Sequence, residues 1–296
     1  MDMIKNLFAL FICFLTVTAC QKGDDEATPA GNTVNSNSIG TVPASFTQKV
    51  VLELFTGAGQ SQCTDGFVKA KDIMDAHPTT SIPVFIHYSD AMEISYYNYV
   101  ESVYSTTPSP TFPSGMVNRT PSLSVVILNR TQWMSNFNQA LAKTPVCGLA
   151  IKSSIIGNTA TVEVHAGFLQ ALAGNYHLNV MLLENNVTGS GIQYDQRNAY
   201  NTTTGHLFNG LGDPILNFQH NHVLRKMISS NGGDLIPSGS IVPGGHYVKT
   251  YTFTMGNYKT ADLSIVAFID KDGSTATSHE VMNAQKATFG NVKNWD

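Results

Sequence analysis

The feature that most constrains this chain is a pair of short apolar runs, residues 49–55 (KVVLELF) and 81–88 (SIPVFIHY), separated by a helix-patterned stretch. Apolar runs that do not alternate with polar residues belong to strands covered on both faces. The first run closes at Thr56-Gly57, and Thr64 or Asp65 can then cap a helix reaching about Ala76. Phe67, Ala70 and Met74 share one face of that helix, and His77-Pro78 ends it. Strand, helix and strand at this spacing predict a right-handed parallel βαβ unit. Residues 96–104 predict a second helix. Phe112-Pro113-Ser114-Gly115 is a turn into a short strand over 116–118, and residues 131–143 predict an amphipathic helix carrying Met134, Phe137 and Leu141.

After Pro145 the texture changes. Residues 146–156 and 159–165 read as strands joined by Gly157-Asn158, a two-residue hairpin signal. Ala160, Val162 and Val164 point one way while Thr161, Glu163 and His165 point the other. Further strands are predicted over 176–183, 219–228, 246–255 and 263–270. Six strands with turn chemistry between them and no helical period imply an antiparallel, Ig-like β-sandwich. Residues 188–218, rich in Asn, Gly, Thr and Tyr, form a connection long enough to be either a functional protrusion or a place where strands hide.

The first residues carry an address. Lys5 precedes an apolar run over 7–17 that is too short to span a bilayer, and the run ends in Val17-Thr18-Ala19-Cys20. Small residues before a cysteine are the pattern cut and lipidated in bacterial lipoproteins. Residues 1–19 are therefore expected as signal peptide, with a lipid on Cys20 and a flexible tether over 20–46. The acidic run Gln21-Lys22-Gly23-Asp24-Asp25-Glu26 resembles an export signal for the outer face of the outer membrane, the periplasmic face being the alternative. Removing residues 1–19 takes away Lys5 and Asp2 and leaves the net charge at −4. Charged residues make up 13% of the chain, against roughly 25% in ordinary soluble domains. No basic stripe offers itself to nucleic acid. The later cysteines, Cys63 and Cys147, could pair only if their geometry allowed it.

Three segments together carry a family resemblance. Leu54-Phe55-Thr56-Gly57-Ala58-Gly59-Gln60-Ser61-Gln62-Cys63-Thr64-Asp65-Gly66 resembles the active loop of the outer membrane protein 28 family, thioredoxin-like lipoproteins of the Bacteroidota. Phe112-Pro113-Ser114-Gly115-Met116-Val117-Asn118-Arg119 is similar to the segment holding that family's cis-proline, and His220-Asn221-His222-Val223-Leu224-Arg225 to a run in its β region. The resemblance covers about residues 48–285. It implies a thioredoxin-like unit over 47–144 followed by the β-sandwich over 145–290, an α/β plus all-β architecture.

The departures set the functional expectation. Gly59 replaces the family's Trp, Thr64 its Pro, and Gln60 the attacking cysteine of the pair. Thiol–disulfide exchange needs an exposed thiolate and a second thiol to resolve the mixed disulfide. Cys63 matches the resolving cysteine alone, so no catalytic residue is expected beyond Cys63 as a single-cysteine alternative. Pro113 and Phe112 are the candidates for binding an extended peptide, as the resemblance implies. His220 and His222 stand two apart in a strand-like run, which would turn both to one side, with His206 or Asp213 as a third metal ligand. No metal or other cofactor is expected. The sequence predicts a non-catalytic outer-membrane lipoprotein held through lipid on Cys20, with a protein or glycan partner and no nucleic acid.

Overall fold

The computed structural model describes residues 38–105 and 111–296. The expected signal segment, Cys20 and the acidic run lie outside the described residues.

Strand β1 (Val50–Thr56) is buried at every position, and helix α1 (Cys63–Ala76) returns the chain to β2 (Ser81–His87). The two strands pair in parallel, from Val50 opposite Ser81 to Thr56 opposite His87. Helix α2 (Tyr96–Tyr104) has the predicted bounds. Strands β3 (Ser114–Val117) and β4 (Leu128–Asn129) follow, and β3 runs antiparallel along the other edge of β1. A single 3-10 turn, Arg130–Gln132, leads into α3 (Trp133–Leu141). Asn129 caps that turn through its side-chain oxygen, which accepts from the Thr131 amide, while Gln132 reaches back to the Asn129 amide. Trp133, Phe137 and Ala140 repeat at helical spacing and pack with Ala70 and Ile73 of α1 against Leu52 and Leu54.

The second half supplies β5 (Cys147–Ile156), β6 (Thr159–Phe168), β7 (Tyr176–Glu184), β8 (Val223–Met227), β9 (Asp234–Leu235), β10 (His246–Thr254), β11 (Leu263–Lys271), β12 (Val281–Thr288) and β13 (Val292–Lys293). Four of these form a separate sheet in the order β10-β6-β5-β13. The others extend the sheet that β1 began, in the order β12-β11-β7-β8-β2-β1-β3-β4 with β9 on β7. The architecture is thus mixed α/β with two sheets. The described residues belong to one compact unit, and the chain passes near residue 145 from the helices to the strands of the second half. One core joins Leu149, Ile151, Val162 and Val164 of the small sheet to Val180, Leu182, Ile265 and Ala267. The opposite faces of β7 and β11 meet β1, β2 and α2 through Met181, Leu183, Val266 and Phe268. Covered on both sides, these strands have no polar face to show. The Val281 amide donates to the Asn118 carbonyl at 2.9 Å, so the large sheet curls until its β12 edge touches the end of β3.

A buried ion network bolts the two halves together. Arg119, with 0% exposure, follows β3 and grips Glu53 of β1 through two bonds of 2.9 and 3.0 Å. Its third nitrogen reaches Asp270 of β11 at 2.6 Å, and Tyr96 of α2 accepts a further bond at 2.7 Å. The guanidinium lies over the rings of Tyr104 and Phe268. Burial pushes the Asp270 carboxyl up to about 7, against the pull of Arg119 and Asn179.

Three expectations shift. The strand predicted over 219–228 shortens to Val223–Met227, because His222 takes a left-handed backbone with φ 58° and breaks the pleat. Strand β12 is an addition. The tether predicted to reach residue 46 is docked at its end: Trp295 donates to the Gly40 carbonyl at 2.9 Å, and Phe46 packs 5.8 Å from the Trp295 ring.

Candidate functional site

The connection from β1 to α1 is shaped by its surroundings. At Gly57 an added Cβ would lie 2.5 Å from the Tyr88 carbonyl oxygen, so only glycine fits there. The loop then turns twice: the Gln60 amide donates to Gly57 and the Cys63 amide to Gln60, each at 3.0 Å. Asp90 staples it from below. One carboxylate oxygen accepts from the Ala58 amide at 2.8 Å and from His87 Nδ1 at 2.7 Å, and the other accepts from the Met92 amide. Burial alone would raise this carboxyl, but the His87 bond and the two amides outweigh it and hold it below the usual carboxylate value.

Residues 188–218 cover the loop from above. The Arg197 amide donates to the Ala58 carbonyl at 2.8 Å and the Ala199 amide to Ser61 at 2.9 Å. Gln196 donates to the Gln60 carbonyl, and the Tyr200 hydroxyl reaches Gln62 at 2.6 Å. The segment holds its own shape through the Arg197–Asp213 pair and a single bridge between Gln196 and Ile215. It is therefore a cover with almost no strand in it. It also turns large aliphatic side chains outward: Ile192 is 81% exposed, Leu216 67%, Leu207 59% and Leu211 54%.

Beneath this cover Cys63 is fully buried. Burial pushes its thiol up to about 11, although Thr56 and the Gly57 backbone pull the other way. At neutral pH it is a protonated thiol. Cys147 is also buried and free, in the core between the sheets, and burial pushes it up to about 12. The two do not form a disulfide.

The Phe112–Pro113 bond is cis. The Pro113 ring lies under α1, so close that a Cβ on Gly66 would fall 2.7 Å from its own Cβ. Phe112 is half-buried and stacks on Tyr88 at 5.5 Å and on Tyr97 at 6.1 Å. Pro113 is buried, whereas Phe112 keeps part of its ring exposed.

His220 and His222 do not share a pleated face. His220 donates from Nε2 to the Tyr194 carbonyl at 2.8 Å, which leaves Nδ1 bare and without a partner beside His87, ring centres 5.2 Å apart. His222 meets Phe85 instead. Burial holds the two imidazoles down at about 4 and about 3, so both are neutral near pH 7. The supposed third ligands are engaged elsewhere: His206 stacks on Tyr200 at 4.2 Å, and Asp213 pairs with Arg197. Among the described residues no group of three or more His, Cys, Asp and Glu side chains is placed to hold a metal ion.

Sequence reasoning missed the Asp90–His87 staple and the Arg119 network. Glu53 was the available signal for the second, as a lone charge inside an otherwise apolar run. Among the described residues no helix is long and apolar enough to cross a membrane.

No curated protein matches this chain. Its fold is similar to that of HBP35 of Porphyromonas gingivalis, with a TM-score of 0.64, 20% identity, and 83% of this chain and 76% of that chain covered. A protein of Agrobacterium tumefaciens is also similar, with a TM-score of 0.50, 10% identity, and 83% and 96% of the two chains covered. At these identities the likeness is one of fold. The family model described as outer membrane protein Omp28 matches residues 100–293, from α2 through the small sheet to β13. Taken with the fold, that span decides the assignment: the chain belongs to the Omp28 family of outer membrane proteins.

Proposed function

We propose that this protein is a lipid-anchored, surface-exposed component of the outer membrane that binds a protein or glycan partner without catalysing a reaction. The anchor is Cys20. The reading takes β1 to α3 as a thioredoxin-like unit that has lost exchange chemistry. Its supports are the parallel β1–α1–β2 unit, the cis Phe112–Pro113 bond ahead of antiparallel β3, and α3 closing the layer.

One observation carries the binding reading. The segment over the Gly57–Cys63 loop both buries the remaining thiol and exposes Ile192, Leu207, Leu211 and Leu216. Exposed aliphatic side chains that form one contiguous patch mark contact surfaces, and the four share one short segment of chain. A photo-crosslinking residue placed at Leu211 or Leu216 in intact cells is expected to capture a defined partner. The same residue at Ile156, 83% exposed on the β5–β6 hairpin, is the control. Equal capture from both places, or none from the segment, would refute the contact surface. Labelled palmitate lost in Cys20→Ser and protease shaving of whole cells test the anchor and the leaflet separately.

A further inference from the structure

At the other end of β1 from the Gly57–Cys63 loop, two clefts of about 620 and 730 Å³ adjoin, sharing Lys286, Thr288 and Lys293 in their walls. Lys49 lines the first and Lys152 the second. Four lysines thus line the two clefts in a chain whose net charge is −4. They come from distant positions, so no basic run announces them. Asp296 is the one acidic side chain in the lining. It is already held between two of the lysines, pairing with Lys49 through one oxygen and with Lys293 through the other at 2.5 Å. Lys49 and Lys293 are thereby neutralised, which leaves Lys152 and Lys286 as the lysines open to an added anion.

Lys152 and Lys286 have no ion-pair partner among the described residues. Lys286 is half-buried, and desolvation lowers its pKa. An ammonium withdrawn from water without a counter-ion is costly, and an anion entering the cleft would offset that cost. The remaining walls mix hydroxyl and amide groups such as Ser81, Ser154 and Asn291 with Pro78, Ile82, Ala287 and Val292, and carry no aromatic side chain. Each volume lies in the roughly 300–1,000 Å³ range of small-ligand pockets, yet the mainly apolar lining of such pockets is missing. The ligand that fits is hydroxylated as well as anionic. A concave cleft also suits a molecule that enters it better than it suits a flat bilayer.

We propose that this lysine-walled cleft binds an acidic oligosaccharide. Its carboxylate, sulfate or phosphate groups pair with Lys152 and Lys286, while its hydroxyls bond the Ser, Thr and Asn side chains. This assigns a ligand to a face that the preceding reading does not use, and it stands if that reading fails.

The test is calorimetric titration of the full chain with oligogalacturonate, a heparin-derived hexasaccharide, maltohexaose and inorganic phosphate. At least one acidic oligosaccharide is expected to bind with a Kd below about 1 mM, and maltohexaose is not. Lys152→Gln and Lys286→Gln are each expected to weaken binding about tenfold, and inorganic phosphate to bind at least about tenfold more weakly than the oligosaccharide. Melting temperature checks that Lys286→Gln is folded, and if it is not, Lys152→Gln carries the test. The proposal is overturned if neither acidic oligosaccharide binds, if the folded variants bind undiminished, or if phosphate binds as tightly. Capture on phosphatidylglycerol vesicles or single-stranded DNA, lost in the variants while no oligosaccharide binds, would also overturn it.

Discussion

Replacing Arg119 by Met tests the joint between the two halves of the molecule. The Met side chain fills much of the Arg stem volume but leaves Glu53 and Asp270 buried without their shared cation. Removing one partner of a buried ion pair costs about 3–5 kcal/mol. Here one guanidinium serves two carboxylates, so the expected loss at pH 8 is about 5 kcal/mol. Small domains hold only about 5–15 kcal/mol in total, so the variant sits near the edge of folding. The deficit should shrink at pH 5.5, because carboxyls stranded away from a cation take up protons and shed their buried charge. Urea unfolding followed by tryptophan fluorescence reads this directly, since Trp133 is fully buried against β3 and α1. A control variant, Arg119→Met with Glu53→Leu and Asp270→Leu, removes every charge and is expected to recover most of the loss. A cost below about 1 kcal/mol at pH 8, or a larger cost at pH 5.5, would refute the network's structural role.

Two further outcomes follow from the site. Cys63 should react with iodoacetamide far more slowly than a free thiol at pH 7.5, and Cys63→Ala should leave the melting temperature within a few degrees; fast labelling of the folded protein would revive the single-cysteine oxidoreductase. His222, held neutral mainly by burial and secondarily by Lys286, has a folded value of about 3 against about 6.5 unfolded, so its contribution is complete above pH 6.5 and lost as pH falls. His222→Asn, which tolerates the left-handed backbone, should flatten the stability curve by about 1.4 kcal/mol per pH unit between pH 6.5 and 4, and an unchanged slope in chemical unfolding would refute it.

Much of this architecture was legible where local chemistry decides it. The parallel β1–α1–β2 unit, the bounds of α2 and the Gly157-Asn158 hairpin all follow from short-range patterns. Strand β12 was hidden because it buries Asn283 and Gln285 within its run. Both amides are satisfied by distant backbone, Asn283 by the carbonyls of Thr47 and Cys147 and Gln285 by that of Leu149, so their polarity does not mean exposure. The joining of the halves was illegible for a related reason: which strand edges meet is fixed by partners far away in sequence. At the site, Gln60 stands where the family resemblance implies an attacking cysteine, and the sequence alone displays that. The cover over Cys63 was not, since it rests on backbone bonds from Arg197 and Ala199 that no side-chain pattern announces.

The shared sheet has a consequence for how such a chain reaches its membrane. Export threads the polypeptide N-terminus first, so β1 and β2 arrive well before the strands that complete them. The free edge of β2 waits for β8, and Arg119 waits for Asp270, 151 residues further along. During that interval the leading half displays an unpaired strand edge and a charged core with one ligand missing, a state prone to aggregation. Such a protein cannot mature piecewise during translocation.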